Sequence, residues 1–117
     1  MHFRLSMFLA LACPASAYAA CPGTTQLEMN QCAFEEYQRA DAQLNATWTN
    51  AKAYMDGLGA GDILLDAQRK WLAFRDAACA SEVAPFQGGS IRPLVHATCL
   101  TRLTQRRTQD LAEFTRY

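Results

Sequence analysis

Cysteine placement constrains this chain more than any other feature. Five cysteines occur in 117 residues. The first, Cys13, lies in a stretch that reads as an address rather than as part of a fold. The other four, Cys21, Cys32, Cys79 and Cys99, read as two disulfides if the chain is exported, and four cysteines allow three connectivities. Spacing favours Cys21–Cys32 and Cys79–Cys99, because each pair ties an element to its immediate neighbour. Loops of this length stabilise by roughly 3 kcal/mol each when the effect is treated as lost chain entropy. That is a large share of the stability of so small a domain. A metal site fits poorly: there is no Cys-x-x-Cys, and His96 is the sole histidine beyond the leader.

The address itself has three parts. Met1 to Arg4 forms a short charged n-region, Leu5 to Ala12 is an apolar run, and Ala17-Tyr18-Ala19 gives a small-x-small cleavage pattern. The expected division is a signal peptide over residues 1–19 and a domain over residues 20–117. The apolar run is far short of the ~20 residues that a membrane-spanning helix needs. A lipid-modified cysteine at Cys13 or Cys21 is disfavoured, since neither has Leu three residues before it. No second apolar stretch of spanning length follows, so the expected mature protein is soluble and periplasmic or secreted.

Helical periodicity fills the remainder. Thr25-x-x-Glu28 is a capping box that starts a helix near Gln26. Tyr37, Leu44, Trp48, Ala51, Met55 and Leu58 then recur at helical spacings until Gly57-Leu58-Gly59-Ala60-Gly61 breaks the pattern. Asp62 is the expected cap of a second helix, with Leu64, Ala67, Gln68, Trp71, Leu72, Arg75, Ala78 and Cys79 on one side. It ends before Pro85. Ser90 is the expected cap of a third helix that accepts Pro93 in its first turn and carries Val95, Cys99, Leu103, Leu111 and Phe114. No segment alternates with period two. The expected fold is all-α, a small antiparallel bundle of three main helices stapled by two disulfides.

Charge and motifs exclude several functions. Eleven basic and eleven acidic side chains cancel, so nothing favours nucleic acid or an anionic membrane surface. The signs separate along the chain. Residues 24–57 carry Glu28, Glu35, Glu36, Asp41 and Asp56 against Arg39 and Lys52; residues 90–117 carry Arg92, Arg102, Arg106, Arg107 and Arg116 against Asp110 and Glu113. Attraction between oppositely charged helices is the simplest account, and an acidic face for a basic partner is the second. No nucleophile elbow, phosphate loop or zinc-protease motif occurs, and no catalytic residue or cofactor is expected. Glu35/Glu36 face different ways on a helix, and Asp66 sits four residues before Lys70, which suits a surface ion pair better than a glycosidase couple. The sequon Asn45-Ala46-Thr47 falls within the first helix and reads as chance.

The densest segment runs from Ala67 to Cys79. Gln68, Trp71, Arg75 and Cys79 share one helical face, and a Gln and an Arg in an apolar stripe need buried partners. Asp41 and Asn45, four apart on the first helix, are the expected partners. The polar cluster expected from sequence is therefore Asp41, Asn45, Gln68, Trp71 and Arg75.

Five blocks carry a family resemblance. They are Thr25-Gln26-x-x-Met29-Asn30-x-Cys32-Ala33, Ala40-Asp41-x-x-Leu44-Asn45, Ala67-Gln68-Arg69-x-Trp71-Leu72-x-Phe74-Arg75-Asp76-x-x-Cys79, Gly88-Gly89-Ser90 and Cys99-Leu100-Thr101. Together they resemble the LprI-type lysozyme-inhibitor domain over essentially the whole mature chain. The resemblance implies a small exported bacterial protein, sometimes lipid-anchored, whose partner is lysozyme and which is not an enzyme. An inhibitor has to block a cleft, and the segment best suited to project into one is Phe86, Gln87, Gly88, Gly89 and Ser90. Phe86 offers an apolar anchor, and the glycines allow close backbone approach. The acidic face of the first helix is the second candidate contact, since many animal lysozymes are basic. The alternative function is a periplasmic scaffold module that binds an envelope component and never touches lysozyme.

Overall fold

The computed structural model describes Cys21 and residues 23–117. The expected leader, its cleavage after Ala19, and Cys13 lie outside the described residues. The order is α1 (Gln26–Gly57), α2 (Gly61–Val83), a single 3-10 turn (Ala84–Phe86) and α3 (Arg92–Glu113), with no strand among the described residues. The fold is all-α, as the periodicity implies.

Each helix end has a local cause. Thr25 caps α1, its hydroxyl accepting from the Glu28 N–H at 3.1 Å. The return arm of the capping box is displaced by one residue: the Glu28 carboxylate accepts from the N–H of Thr24, at 3.2 Å. α1 ends in a Schellman motif, where the Ala60 N–H donates to the Met55 carbonyl and the Gly59 N–H to that of Asp56. Gly59 holds φ +73°, a left-handed conformation that suits glycine. Two expected caps are corrected. α2 begins at Gly61 behind Ala60, because the Schellman turn leads straight into it, and Asp62 lies inside its first turn. α3 begins at Arg92 behind Ile91, and Ser90 stands one residue too early to cap it. Pro93 does sit in the first turn of α3.

The tight corner sends α2 back along α1, and the second turn returns α3 alongside α1 in the same direction. Long-range contacts show this parallel pairing: Asn30 meets Ser90 near the starts of both helices, and the Tyr54 hydroxyl meets the Tyr117 carbonyl near their ends. α1 packs most extensively on α3, and α2 runs antiparallel to both. Two apolar clusters result. Leu44, Ala51, Leu64 and Leu111 form one near the α1–α2 corner, flanked by Trp48, Met55, Trp71 and Phe114. Cys79, Cys99 and Leu100 form the other, flanked by Tyr37 and Leu103. Leu58, Ala67 and Leu72, expected in the stripes, are exposed, Leu58 because it has left the helix at the corner.

Both spacing-favoured disulfides form, Cys21–Cys32 with Cα atoms 5.4 Å apart and Cys79–Cys99 at 5.6 Å. Cys79 and Cys99 have no solvent exposure. Replacing both with Ala should lower the unfolding free energy by about 3 kcal/mol, seen as a lower urea midpoint. Gly59→Ala should cost about 1 kcal/mol because of its left-handed φ. Gly57→Ala, with open space around its Cβ position, should instead gain about 0.5 kcal/mol in the same experiment.

Candidate interaction surface

A polar layer separates the two apolar clusters and fixes how the helices face one another. Along α2 the order is Leu64, Gln68, Trp71, Arg75, Cys79; along α3 it is Cys99, Leu100, Thr104, Arg107, Leu111. Arg75 is 7 % exposed, and Thr104 is wholly buried. The guanidinium of Arg75 donates to the Thr104 hydroxyl at 3.4 Å and pairs with Asp76, with Nη2 2.9 Å from Oδ1. It also lies 5.6 Å from the Tyr37 ring centre and 5.4 Å from that of Trp71, within cation–π range. Gln68 accepts from Arg107 Nε at 2.8 Å, and the Arg107 guanidinium reaches the Trp71 ring at 5.9 Å. Burial lowers the Arg107 pKa from its ordinary value, and the neighbouring Asp110 opposes that shift.

The expected partners are therefore corrected. Among the described residues no hydrogen bond or ion pair joins Asp41 or Asn45 to Arg75 or Gln68. Asn45 is exposed and Asp41 is partly exposed on α1. Arg75 turns to α3 because the disulfide one turn further along α2 joins these two helices, placing Arg75 opposite Thr104. Sequence reasoning did not place Thr104, Arg107 or Tyr37 in this cluster, although Tyr37 belongs to the stripe expected on α1. The available signal was a Thr and an Arg inside the apolar stripe of α3, between Leu100 and Leu111.

The loop of Phe86, Gln87, Gly88, Gly89 and Ser90 is exposed along its length. Phe86 is 37 % exposed at the end of the 3-10 turn. Gly88 adopts φ +72°, and the Gly89 N–H closes back on the Phe86 carbonyl at 3.0 Å. Asn30 Nδ2, from α1, donates to the Ser90 carbonyl at 3.0 Å. The loop is thus tied to α1 at one end and rests on the Cys79–Cys99 bridge through the two helices it connects.

Beside the loop, α1 and α3 enclose a shallow groove of 370 Å³. Its sides are built from matched spacings, Leu27, Asn30, Gln31 and Phe34 on α1 facing Pro93, His96, Ala97 and Leu100 on α3. Ala97 and Leu100 make a buried floor, whereas Leu27 is 78 % and Phe34 48 % exposed. A second depression on the outer side of α1 is lined by Leu27, Glu28, Gln31, Cys32 and Glu35. Leu27 and Gln31 belong to both, so the apolar groove has an acidic outer edge. The groove was not expected from sequence, although the repeated i, i+3, i+4, i+7 spacing in parallel helices is its signature.

Charged groups pair mostly within helices. Lys52–Asp56, Asp66–Lys70 and Arg116–Glu113 are local, and Arg102–Glu82 bridges α3 to α2. Asp66 is thus taken up by Lys70 at 2.7 Å, as its spacing suggests. No ion pair joins α1 to α3 among the described residues, so their opposite charges act only as a diffuse field. Cys21, Cys32 and Glu36 lie close enough to suggest a metal site, but the two sulfurs are bonded to each other.

The chain is similar to known proteins over most of its length. A family model described as "Lysozyme inhibitor LprI" matches residues 17–111. An uncharacterized protein of Rhizobium meliloti is 35% identical over 127 residues, an alignment that covers 93% of this chain and 90% of that one. No solved structure matches it.

The polar layer makes a graded stability series. Arg75→Ala removes the ring contacts and leaves the Thr104 hydroxyl without its partner, and should cost about 2–4 kcal/mol. Asp76→Asn should cost under about 1 kcal/mol because that carboxylate is solvated. Asp41→Asn should lie within about 0.5 kcal/mol of wild type. Urea denaturation of the three variants checks the order, and a large loss at Asp41 would contradict the assigned partners.

Proposed function

The chain belongs to the lysozyme inhibitor LprI family, and from that premise we propose that it is an exported protein that binds lysozyme and blocks its active-site cleft, protecting peptidoglycan. The observation that carries this reading is the family match across nearly the whole helical unit, from before Cys21 to Leu111. Two disulfides suit an oxidising compartment, periplasmic or extracellular. No helix among the described residues is long and apolar enough to cross a membrane.

Lysozyme cleaves its substrate with two carboxyl groups set in a cleft. A protein that inhibits it by occupancy needs a projection held in shape before contact, since ordering a loose loop on binding subtracts from affinity. The Phe86–Ser90 loop meets that requirement. Phe86 supplies the apolar anchor, and Gly88 and Gly89 keep the tip narrow. The chain does no chemistry in this scheme and needs no cofactor.

Lysozyme-driven lysis of a Gram-positive cell suspension, titrated with oxidised protein lacking residues 1–19, tests the proposal. Lysis should slow with dose for at least one lysozyme class, and reduction should abolish the protection. Undiminished lysis at a large molar excess against every class would leave the scaffold alternative, which an envelope pull-down would then examine. Phe86→Ala combined with Ser90→Ala should weaken inhibition at least tenfold with little change in Tm. The Ser90 tie to α1 runs through its backbone carbonyl and survives the substitution.

A further inference from the structure

The geometry points to the α1–α3 groove as a second docking element for the same partner, taking a segment in which an apolar side chain lies beside a Lys or Arg. This rests on the reading that the target is a lysozyme. It extends the contact from the loop to the neighbouring helical face.

Three observations carry it. Leu27 and Phe34 stand 78 % and 48 % exposed on the rim of a groove whose floor, Ala97 and Leu100, is apolar and already dry. A seated apolar side chain would remove both rim residues from water without burying an unpaired polar group in the floor. The outer edge carries Glu28 and Glu35, and among the described residues neither has a cation within ion-pair distance. Glu28 is held by the Thr24 N–H and Glu35 by the Gln31 amide, so both carboxylates are positioned with no described cation paired to them. The other side of the groove carries His96, with Arg92 one residue before Pro93. That asymmetry orients the occupant: its cation belongs on the α1 side and its apolar group in the centre.

Groove and loop also form one continuous face. Asn30 lines the groove and donates to the Ser90 carbonyl, and Pro93, three residues after Ser90, lines the opposite side. A partner that meets the loop therefore reaches the groove without a gap. Ile63 and Phe74, exposed on α2, line none of the described depressions and serve as controls.

Binding of the oxidised protein to purified chicken-type, goose-type and invertebrate-type lysozymes, measured by calorimetry at low and moderate salt, tests the inference. Leu27→Asp and Phe34→Ser should each weaken association at least tenfold. Glu35→Lys should weaken it at low salt and flatten its salt dependence. Ile63→Asp and Phe74→Ser should leave affinity within twofold, and circular dichroism should give all variants a wild-type fold. Wild-type affinity for Leu27→Asp and Phe34→Ser, with loss only in the Phe86→Ala/Ser90→Ala protein, would overturn the groove and leave the inhibitor reading standing. Failure of the wild-type protein to bind any of the three lysozymes would overturn both.

Discussion

A buried guanidinium dictates how the three helices face one another. Arg75 sits at 7 % exposure between two apolar clusters, where a cation without compensation would cost several kcal/mol. Compensation comes from three directions at once: a hydroxyl from α3, the ring faces of Tyr37 on α1 and Trp71 on its own helix, and a solvated carboxylate next door. Sliding α3 by one turn would place Leu100 or Thr108 opposite Arg75 instead of Thr104. The first would bury the charge against hydrocarbon, and the second would break the Gln68–Arg107 bond in the same movement. Apolar stripes alone tolerate such slippage, because leucines pack against leucines in several registers. The polar layer removes that freedom, and the disulfide at Cys79 and Cys99 then sets the spacing it requires.

Sequence was informative wherever the signal is local along one helix. The capping box at Thr25 marked the start of α1 within a residue, the glycine run marked its end, and the spacing of the cysteines favoured the pairing that forms. Helical spacing also placed Gln68 and Arg75 on one inward face. It could not say which neighbour that face meets, because a period of 3.6 residues defines a stripe and leaves the packing partner open. Asp41 and Asn45 looked suitable by chemistry, yet α2 presents Arg75 to α3. Asp62 and Ser90 failed as caps for a related reason: the Schellman turn at Gly59 and the Asn30 tie at Ser90 shift each helix start by one or two residues. The groove escaped notice because it belongs to a pair of parallel helices that are distant in sequence, and Leu27 reads as an isolated exposed residue until Leu100 is placed beneath it.

Structural investment is uneven along the molecule. The end with the α1–α2 corner is closed by backbone hydrogen bonds and a leucine-rich cluster. The opposite end gathers both disulfides, the exposed loop, the groove and the starts of two parallel helices. Parallel starts bring two positive dipole ends together, which Glu28 in the first turn of α1 offsets in part. A domain that recognised another protein through that end, as proposed, would gain most from rigidity there, and that is where the covalent bonds lie.

Those bonds divide the chain unequally. Cys21–Cys32 closes a ring within the approach to α1, and Cys79–Cys99 fuses α2 and α3 into one hairpin. Neither links α1 to the hairpin, although α1–α3 is the largest interface in the fold. In covalent terms the molecule is a cross-linked hairpin and a separate ringed helix, hinged at Gly59. α1 can lift from the hairpin as a unit without breaking either bridge, a sub-global transition of the kind that amide exchange detects. Oxidation therefore protects the loop and its two supporting helices more strongly than it protects the seam where α1 meets α3, and that seam is also the groove.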